Sequence, residues 1–330
     1  MEETEQKNMN GNLAPVVLFV YNRPEHVKKT VEALRKNILS EQSDLYIFSD
    51  GPKSAEDEKP VKAVREYIAQ VTGFHSVHVT ERETNIGLGR NIMDGVTRIV
   101  NRYGKIIVLE DDIITSEYFL QYMNDALTRY EEDEKVMSVS GYTPPASFGE
   151  AVPETFFMSW PDCWGWGIWD RAWKAFERDP EKLVKESSKE FIRKINIDGT
   201  SPGMWKQVLD NYHGRRYTWA IFFHAAICKA GGLTLYSRNS LTSNEGMDGS
   251  GDDSGSTSLF GISALQEKPV TFYPEEIRSN PEAEKALKEF CRKSSREQVA
   301  WKRLWNVLIR EGMKGLKKRA AIYLGKKRGS

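Results

Sequence analysis

The chain has 330 residues, and its 47 basic and 47 acidic residues give a formal net charge of zero. This length allows one large α/β domain or two smaller ones. The balanced charge gives no electrostatic reason to expect nucleic-acid binding. The three cysteines, Cys163, Cys228 and Cys291, are widely spaced and odd in number. They therefore predict neither a zinc site nor a disulfide framework, which favours a reducing compartment.

Both ends of the chain differ in composition from its middle. Residues 1–13 are largely polar and acidic and lack the apolar core of a signal peptide, so we predict a disordered leader. No stretch approaches the roughly 20 apolar residues that a membrane span needs. Together these features predict a cytoplasmic protein.

Apolar runs alternate with stretches of helical periodicity through the first 112 residues. Such alternation predicts a parallel sheet wrapped by helices, and hence the α/β class. The predicted strands are 15–22, 45–48, 77–79 and 105–110. Beyond them we predict helices at 116–131, 184–196, 202–213 and 219–230, strands at 136–140, 156–159 and 233–236, and a Gly/Ser/Asp-rich loop at 244–258.

Three consecutive carboxylates, Glu110, Asp111 and Asp112, end the strand at 105–110. Ligands of open α/β sheets bind at the carboxyl ends of the strands. Adjacent carboxylates repel each other unless a cation compensates them, and a divalent cation that also grips a phosphate is a simple candidate. The alternative is a solvated acidic turn that caps the next helix.

Two further polar side chains follow earlier strands and are expected at the same edge of the sheet. Arg23 has the planar fork that matches phosphate oxygens, although it could simply cap the helix that starts at Pro24. Asp50 could accept hydrogen bonds from a base or ribose, although Asp50-Gly51-Pro52 is also a common turn. A nucleoside diphosphate with a cation would engage all of these groups.

Aromatic residues are concentrated between Trp160 and Trp173, where five of the 14 residues are Trp. Trp164 and Trp166 flank Gly165, and Trp rings often stack on the apolar faces of sugars. We therefore predict these two rings as a sugar or acceptor platform. The alternative is that the cluster belongs to the core.

The ordered set of motifs resembles the glycosyltransferases of the GT-A fold, in particular the N-acetylglucosaminyltransferase-I-like and bacterial family-2-type polysaccharide transferases. The resemblance covers roughly residues 15–255. It is carried by segments 16–23, 49–51, 85–91 (Asn-Ile-Gly-Leu-Gly-Arg-Asn), 108–112 (Val-Leu-Glu-Asp-Asp), 163–173 and 232–251.

The resemblance implies a GT-A, Rossmann-like fold and a metal-dependent, inverting transfer of a sugar from a nucleotide donor, with a UDP-sugar favoured. The transferred sugar would be a hexose or an N-acetylhexosamine. The acceptor would be a glycan or lipid-linked hydroxyl, as in bacterial surface polysaccharide synthesis. Mn²⁺ or Mg²⁺ would be held by Asp112 and Asp111. The implied donor contacts are Arg23, Asp50, Gly87, Arg90, Glu110 and Asp111.

An inverting enzyme needs a carboxylate base near the acceptor hydroxyl. Relatives often carry a Trp-Asp pair at the matching position, where this chain has Trp219-Ala220. We predict Asp162 as the substitute and His224 as a second catalytic candidate, with Asp170 weaker. An acidic residue from the loop at 246–255 is another possibility. The missing carboxylate also leaves open an inactive nucleotide-sugar or carbohydrate-binding protein.

A nucleotidyltransferase on a similar sheet is a further alternative, but it needs a Gly-rich turn after the first strand, and residues 21–25 contain no Gly. We divide the chain into the leader 1–13, a transferase domain 14–275 and a helical basic tail 276–330. Within the domain, 14–145 would bind the nucleotide and 146–275 the acceptor. The tail either binds an anionic membrane surface, at the inner face of the cell membrane, or packs on the domain.

Overall fold

The computed structural model of the protein describes residues 13–247, 260–262 and 264–295. The strands are β1 (Val16–Val20), β2 (Asp44–Ser49), β3 (Ser76–Glu81), β4 (Lys105–Glu110), β5 (Ile113–Thr115), β6 (Val136–Ser140), β7 (Thr155–Met158), β8 (Trp166–Trp169), β9 (Leu233–Ser237) and β10 (Thr242–Asn244). The helices are α1 (Pro24–Arg35), α2 (Ala55–Ile68), α3 (Leu88–Tyr103), α4 (Phe119–Arg129), α5 (Asp170–Trp173), α6 (Pro180–Glu186), α7 (Lys189–Ile195), α8 (Gly203–Tyr212) and α9 (Ala220–Ala230).

Eight strands form one sheet in the order β3-β2-β1-β4-β8-β6-β9-β7. The first four strands pair in parallel, as the alternation of strands and helices predicts. All five residues of β1 are buried, as expected for a central strand covered on both faces. Helices flank this mostly parallel sheet, which confirms the predicted α/β class and is consistent with a GT-A, Rossmann-like arrangement.

The sheet continues beyond β4 through a strand that the sequence analysis did not predict. β8 lies between β4 and β6 and is antiparallel to both. β5 and β10 form a separate two-stranded sheet, and both were also missed. These strands have only three or four residues each and pair with partners distant in sequence, so local periodicity carries little signal for them.

Helix boundaries differ from the predictions at two places. The helix predicted at 116–131 begins only at Phe119, because residues 117–118 form a turn between β5 and the helix. The helix predicted at 184–196 is two helices, α6 and α7. Ser188 separates them and caps α7, since its hydroxyl accepts the backbone N–H of Phe191.

The two faces of the sheet carry separate cores. One face is covered by α1, α2 and α4, and the other by α3 together with α9 and the aromatic rings of β8 and α5. The amino-terminal ends of α1 and α3 therefore meet the same carboxyl edge of the sheet from opposite faces.

The chain downstream of 275 is described only in part. Residues 281–295 are helical, and Ala283 and Leu287 from this helix are buried in a third core cluster with α7, α8 and α9. No helix in the described part of the chain is long and apolar enough to cross a membrane. Residues 1–12 of the leader and the basic tail from residue 296 lie outside the described residues, so those expectations stay predictions.

Candidate functional site

Arg23 joins the two aspartates that follow β4. Its Nη2 donates to Asp112 Oδ2 at 2.8 Å and also contacts Asp111 Oδ1, while its Nε lies 3.4 Å from Asp111 Oδ2. Arg23 precedes α1, but its side chain makes no capping hydrogen bond to that helix, so the alternative that the side chain only caps α1 is wrong. A hydroxyl of α1 also holds this turn, because Thr30 Oγ1 donates to the Asp111 carbonyl at 2.8 Å. Residues 88 positions apart in the chain thus form one ionic cluster.

This cluster is largely removed from solvent. The side chains of Arg23, Asp111 and Asp112 are 17%, 6% and 12% exposed. Burial by itself lowers the pKa of Arg23, but the charges of Asp111 and Asp112 outweigh it and hold that pKa above its ordinary value. Burial raises the pKa of Asp111, with the charge of Arg23 opposing the shift. Both aspartates depend on the guanidinium for charge compensation.

A loop from the second half of the chain covers the cluster. β10 pairs with β5, and the backbone N–H of Glu245 then donates to the Asp112 carbonyl at 2.9 Å. A β-carbon on Gly246 would lie 2.0 Å from Asp112 Oδ2 and 3.0 Å from Arg23 Nη1, so only glycine fits there. Arg23 Nη1 is itself buried and has no hydrogen-bond partner among the described residues.

Asp50 links two loops at the same edge of the sheet. Its carboxylate accepts the backbone N–H groups of Gly51 at 2.9 Å, Ile86 at 3.0 Å and Gly87 at 2.9 Å, and the residue is 3% exposed. Asp50 therefore lies in a turn, as the alternative predicts, and its carboxylate holds the separate turn that precedes α3. Contacts of Asp50 and Gly87 with a nucleotide stay predictions.

Asp162 lies just before β8 and is partly exposed. Its Oδ1 accepts the backbone N–H of Trp164 at 2.9 Å. Burial of the carboxyl raises the pKa of Asp162 to about 6, against the lowering effect of the backbone donors of Trp164 and Cys163. Burial raises the pKa of Cys163, the next residue in the chain, and the nearby charges of Asp162, Glu110 and Asp112 raise it further. The fold thus brings the predicted base to the acidic edge of β4.

The two predicted platform rings have different environments. Trp164 is partly exposed, with its ring edge-on to Tyr142 at 4.6 Å, so it stays a platform candidate. Trp166 is 1% exposed and packs against Trp219 and Phe223 at 5.4 and 4.6 Å. The prediction of Trp166 as a platform is wrong, because its position on central strand β8 directs the ring into the core.

The structure also contradicts a catalytic role for His224. This residue is 4% exposed inside the third core cluster, and its Nε2 donates to the Ile195 carbonyl at 3.0 Å. Burial lowers the pKa of His224 to about 4, against the raising effect of that carbonyl. His224 is therefore a neutral core histidine.

Two other positions considered for the base have the following surroundings. Ala220 is the first residue of α9, and the carboxylate of Asp170 on α5 pairs with Lys174 at 3.2 Å.

Arg90 lies in the first turn of α3, where its guanidinium carbon is 4.9 Å from the centre of the Tyr217 ring. Its predicted contact with the nucleotide stays a prediction. Arg178 also lies over this ring, at 3.5 Å. Sequence reasoning missed Arg178, Tyr217 and the close approach of Gly246, and no local motif marks the first two. Gly246 falls within a segment of the resemblance, but its contact with Asp112 follows only from the pairing of β10 with β5.

In the described part of the chain, no three His, Cys, Asp or Glu side chains gather into a set that could hold a metal by themselves. Asp111 and Asp112 follow the carboxyl end of β4, and one guanidinium, that of Arg23, pairs with both of these carboxylates. The charge of this edge therefore fits a divalent cation. Mg²⁺ is commonly held by one or two carboxylates together with substrate phosphates, which needs no complete protein cage.

No family model matches the sequence, and no curated protein matches it. Among solved structures, the chain is similar to the crystal structure of S. aureus TarS, with 15% identity and a TM-score of 0.29 over 42% of this chain and 23% of that one. A second crystal structure, of S. aureus TarS 1–349, matches with the same identity and TM-score over 45% of this chain and 41% of that one. The matched region spans less than half of either TarS chain.

Proposed function

We propose that the chain is a glycosyltransferase that moves a sugar from a nucleotide-sugar donor, with a UDP-sugar favoured, to a hydroxyl of a glycan or lipid-linked acceptor. The observation that carries this proposal is the buried Arg23–Asp111–Asp112 cluster at the carboxyl edge of the parallel strands. Ligands of such sheets bind at this edge. The motif resemblance independently assigns the same residues to donor binding.

The unpartnered nitrogen of Arg23 supports an anionic donor. A buried N–H donor without an acceptor is costly, and Arg23 Nη1 is such a donor among the described residues. A diphosphate oxygen would satisfy it, because charge-assisted bonds between Arg and phosphate are strong. Arg23 would then contact the donor while it keeps Asp111 in place.

The two aspartates that share the single guanidinium of Arg23 support a divalent cation as part of the proposal. Asp112 and Asp111 would hold Mn²⁺ or Mg²⁺. When bound, the cation would supply Lewis-acid stabilisation of the negative charge on the departing diphosphate. Since Arg23 and the backbone of Gly246 cover Asp112 Oδ2, the loop after β10 would have to adjust as the donor enters.

Asp162 is the proposed general base. Its carboxylate would take the proton of the acceptor hydroxyl, and a pKa of about 6 leaves it mostly ionised at neutral pH. Trp164, two residues on, would stack against a sugar ring of the acceptor or donor. These roles need no carboxylate at Ala220.

Calorimetric titration with UDP, GDP and dTDP, each with and without Mn²⁺, tests the proposal. We expect one nucleotide to bind only with Mn²⁺, and Asp112→Ala to abolish that binding. Asp170→Asn is the matched control, since Asp170 lies on α5 and pairs with Lys174. If no nucleotide binds under any condition, the transferase proposal is wrong.

A turnover assay with the sugar conjugates of the bound nucleotide separates the enzyme from an inactive binding protein, the alternative that Ala220 favours. A nucleotide that binds with Mn²⁺, but whose sugar conjugates give neither transfer nor hydrolysis, would indicate the binding protein. Turnover that Asp162→Asn abolishes without loss of nucleotide affinity would indicate the enzyme.

A further inference from the structure

Two arginines from different parts of the chain meet at one tyrosine ring. Arg90 belongs to the first turn of α3, and Arg178 lies between α5 and α6. Their guanidinium carbons are 4.9 and 3.5 Å from the centre of the Tyr217 ring, just before α9. We refer to these three residues as the Arg90–Tyr217–Arg178 cluster.

A buried amide holds the cluster in shape. Arg178 Nε donates to the Thr218 carbonyl at 2.9 Å, and its Nη2 donates to Asn211 Oδ1 at 2.7 Å. Asn211 is 5% exposed and also bonds the backbone N–H and the hydroxyl of Thr218. Tyr217, by contrast, is 46% exposed. The guanidinium of Arg178 is thus fixed on a surface that remains open to solvent.

The cluster carries positive charge that the described residues do not compensate. Within that part of the chain, neither Arg90 nor Arg178 forms an ion pair with a carboxylate. The acidic residues beside Arg178 have other roles: Glu177 pairs with Lys182, and Asp179 caps α6. Burial lowers the pKa of Arg178, and the neighbouring charge of Arg90 lowers it further, against the raising effect of Tyr217. Two like charges held together in this way favour an anion between them.

The position of the cluster separates it from the donor cluster. A β-carbon on Gly89 would lie 3.3 Å from the Tyr217 ring, so the segment before α9 packs directly on the start of α3. α3 and α9 cover one face of the sheet, whereas α1, which Arg23 immediately precedes, covers the other. Both clusters nevertheless lie near the carboxyl edge, because Asp50 binds the turn that leads into α3.

We propose that the Arg90–Tyr217–Arg178 cluster binds an oxyanion, a phosphate or carboxylate group, carried by the acceptor substrate. This inference rests on the proposed glycosyltransferase function and adds the chemical class of its acceptor. It assigns Arg90 to the acceptor instead of the donor nucleotide. Guanidinium groups suit this task because their planar forks match the oxygens of both anions.

Binding of inorganic phosphate, followed by ³¹P nuclear magnetic resonance, tests the site directly. We expect Arg90→Gln to weaken phosphate binding about ten-fold, the size of one lost charge-assisted bond. Arg102→Gln is the matched control, because Arg102 also lies over a tyrosine ring, Tyr103, at the far end of the same helix. Arg178→Lys keeps the charge but loses the fork, and should weaken binding as well. Thermal unfolding of each variant shows whether it is folded.

The same titration in the presence of saturating UDP and Mn²⁺ identifies which substrate carries the anion. We expect phosphate to bind the native chain equally well with and without UDP, since the donor occupies a separate cluster. Displacement of phosphate by UDP would overturn the proposal, because the anion would then be the diphosphate of the donor. Equal phosphate binding by the native chain and Arg90→Gln would also overturn it.

Turnover gives an independent readout. With an anionic acceptor, Arg90→Gln should raise the acceptor KM about ten-fold and leave the donor KM unchanged. If nucleotide binding fails altogether, the proposed function is wrong, but the phosphate titration without UDP still decides whether the cluster binds an anion. The two failures are therefore distinguishable.

Discussion

Gly246 lies directly against Asp112: a β-carbon at residue 246 would fall 2.0 Å from Asp112 Oδ2. The two residues are brought together by the pairing of β10 with β5, which carries the chain across the acidic edge of β4. This contact connects the second half of the chain to the predicted donor site. Any side chain at residue 246 must displace either the loop or the carboxylate.

Gly246→Ala tests that contact. Overpacking typically costs about 1–3 kcal/mol, and here it should move Asp112 out of place. We expect nucleotide affinity to fall about ten-fold, measured by calorimetry. Gly149→Ala is the control, because a β-carbon there meets nothing within 4 Å. Unchanged nucleotide affinity in Gly246→Ala would mean that the loop stands away from Asp112 when the donor binds.

Arg23→Met should destabilise the protein, because it leaves two largely buried carboxylates without a cation. Removing one partner of a buried ion pair costs about 3–5 kcal/mol, and urea unfolding at neutral pH measures the change. Adding Asp111→Asn to Arg23→Met should restore part of the loss, since one uncompensated charge is then gone. A loss below about 1 kcal/mol in Arg23→Met, the range of exposed pairs, would show that solvent already screens this cluster.

Asp162→Asn should lower kcat about 100-fold or more, the usual contribution of a general base, with donor affinity unchanged. In the native chain, kcat/KM should rise with pH up to about 6, the pKa of Asp162, and then level off, because only the ionised carboxylate accepts a proton. Asp170→Asn should retain activity. If Asp162→Asn also retains it, the base is another residue.

His224 should make the stability of the protein depend on pH. The pKa of His224 is about 4 in the folded state, against an ordinary value of about 6.5 for histidine. As the pH falls below 6.5, the unfolded chain binds a proton that the folded chain does not, so the free energy of unfolding decreases. The full effect is about 3 kcal/mol.

Urea unfolding between about pH 7 and pH 4 measures this effect. Over that range, His224→Gln should lose less stability than the native chain, because the titrating group is absent. The exposed His213, changed to Gln, is the control and should leave the slope unchanged. Parallel pH profiles for the native chain and His224→Gln would contradict the burial of a neutral His224.

Trp166→Ala and Trp164→Ala should separate core from site. Trp166 is fully enclosed by other aromatic rings, so its loss should cost about 3–5 kcal/mol in unfolding free energy. Trp164 is partly exposed and should cost less while it weakens saccharide binding. Denaturant unfolding and saccharide titration of both variants check this. An equal loss of stability in the two variants would remove Trp164 as a platform candidate.

The predicted α/β architecture was accessible from sequence because its central strands are locally encoded. β1, β2 and β4 are short apolar runs, and the helices between them show regular apolar spacing. The polar residues at the strand ends, Arg23 and Asp112, could likewise be placed at one edge. Parallel strands connected by helices leave the carboxyl ends on the same side of the sheet.

Only the tertiary structure decided how those residues pair and which of the remaining candidates reach solvent. Burial distinguished Trp164 from Trp166, although the two are separated by one glycine, and it placed His224 in a core. The contact of Gly246 with Asp112 and the meeting of Arg90 with Arg178 at Tyr217 join segments far apart in the chain. Local sequence encodes periodicity and turns, whereas such contacts depend on strand pairing and packing between distant elements, and no short motif records them.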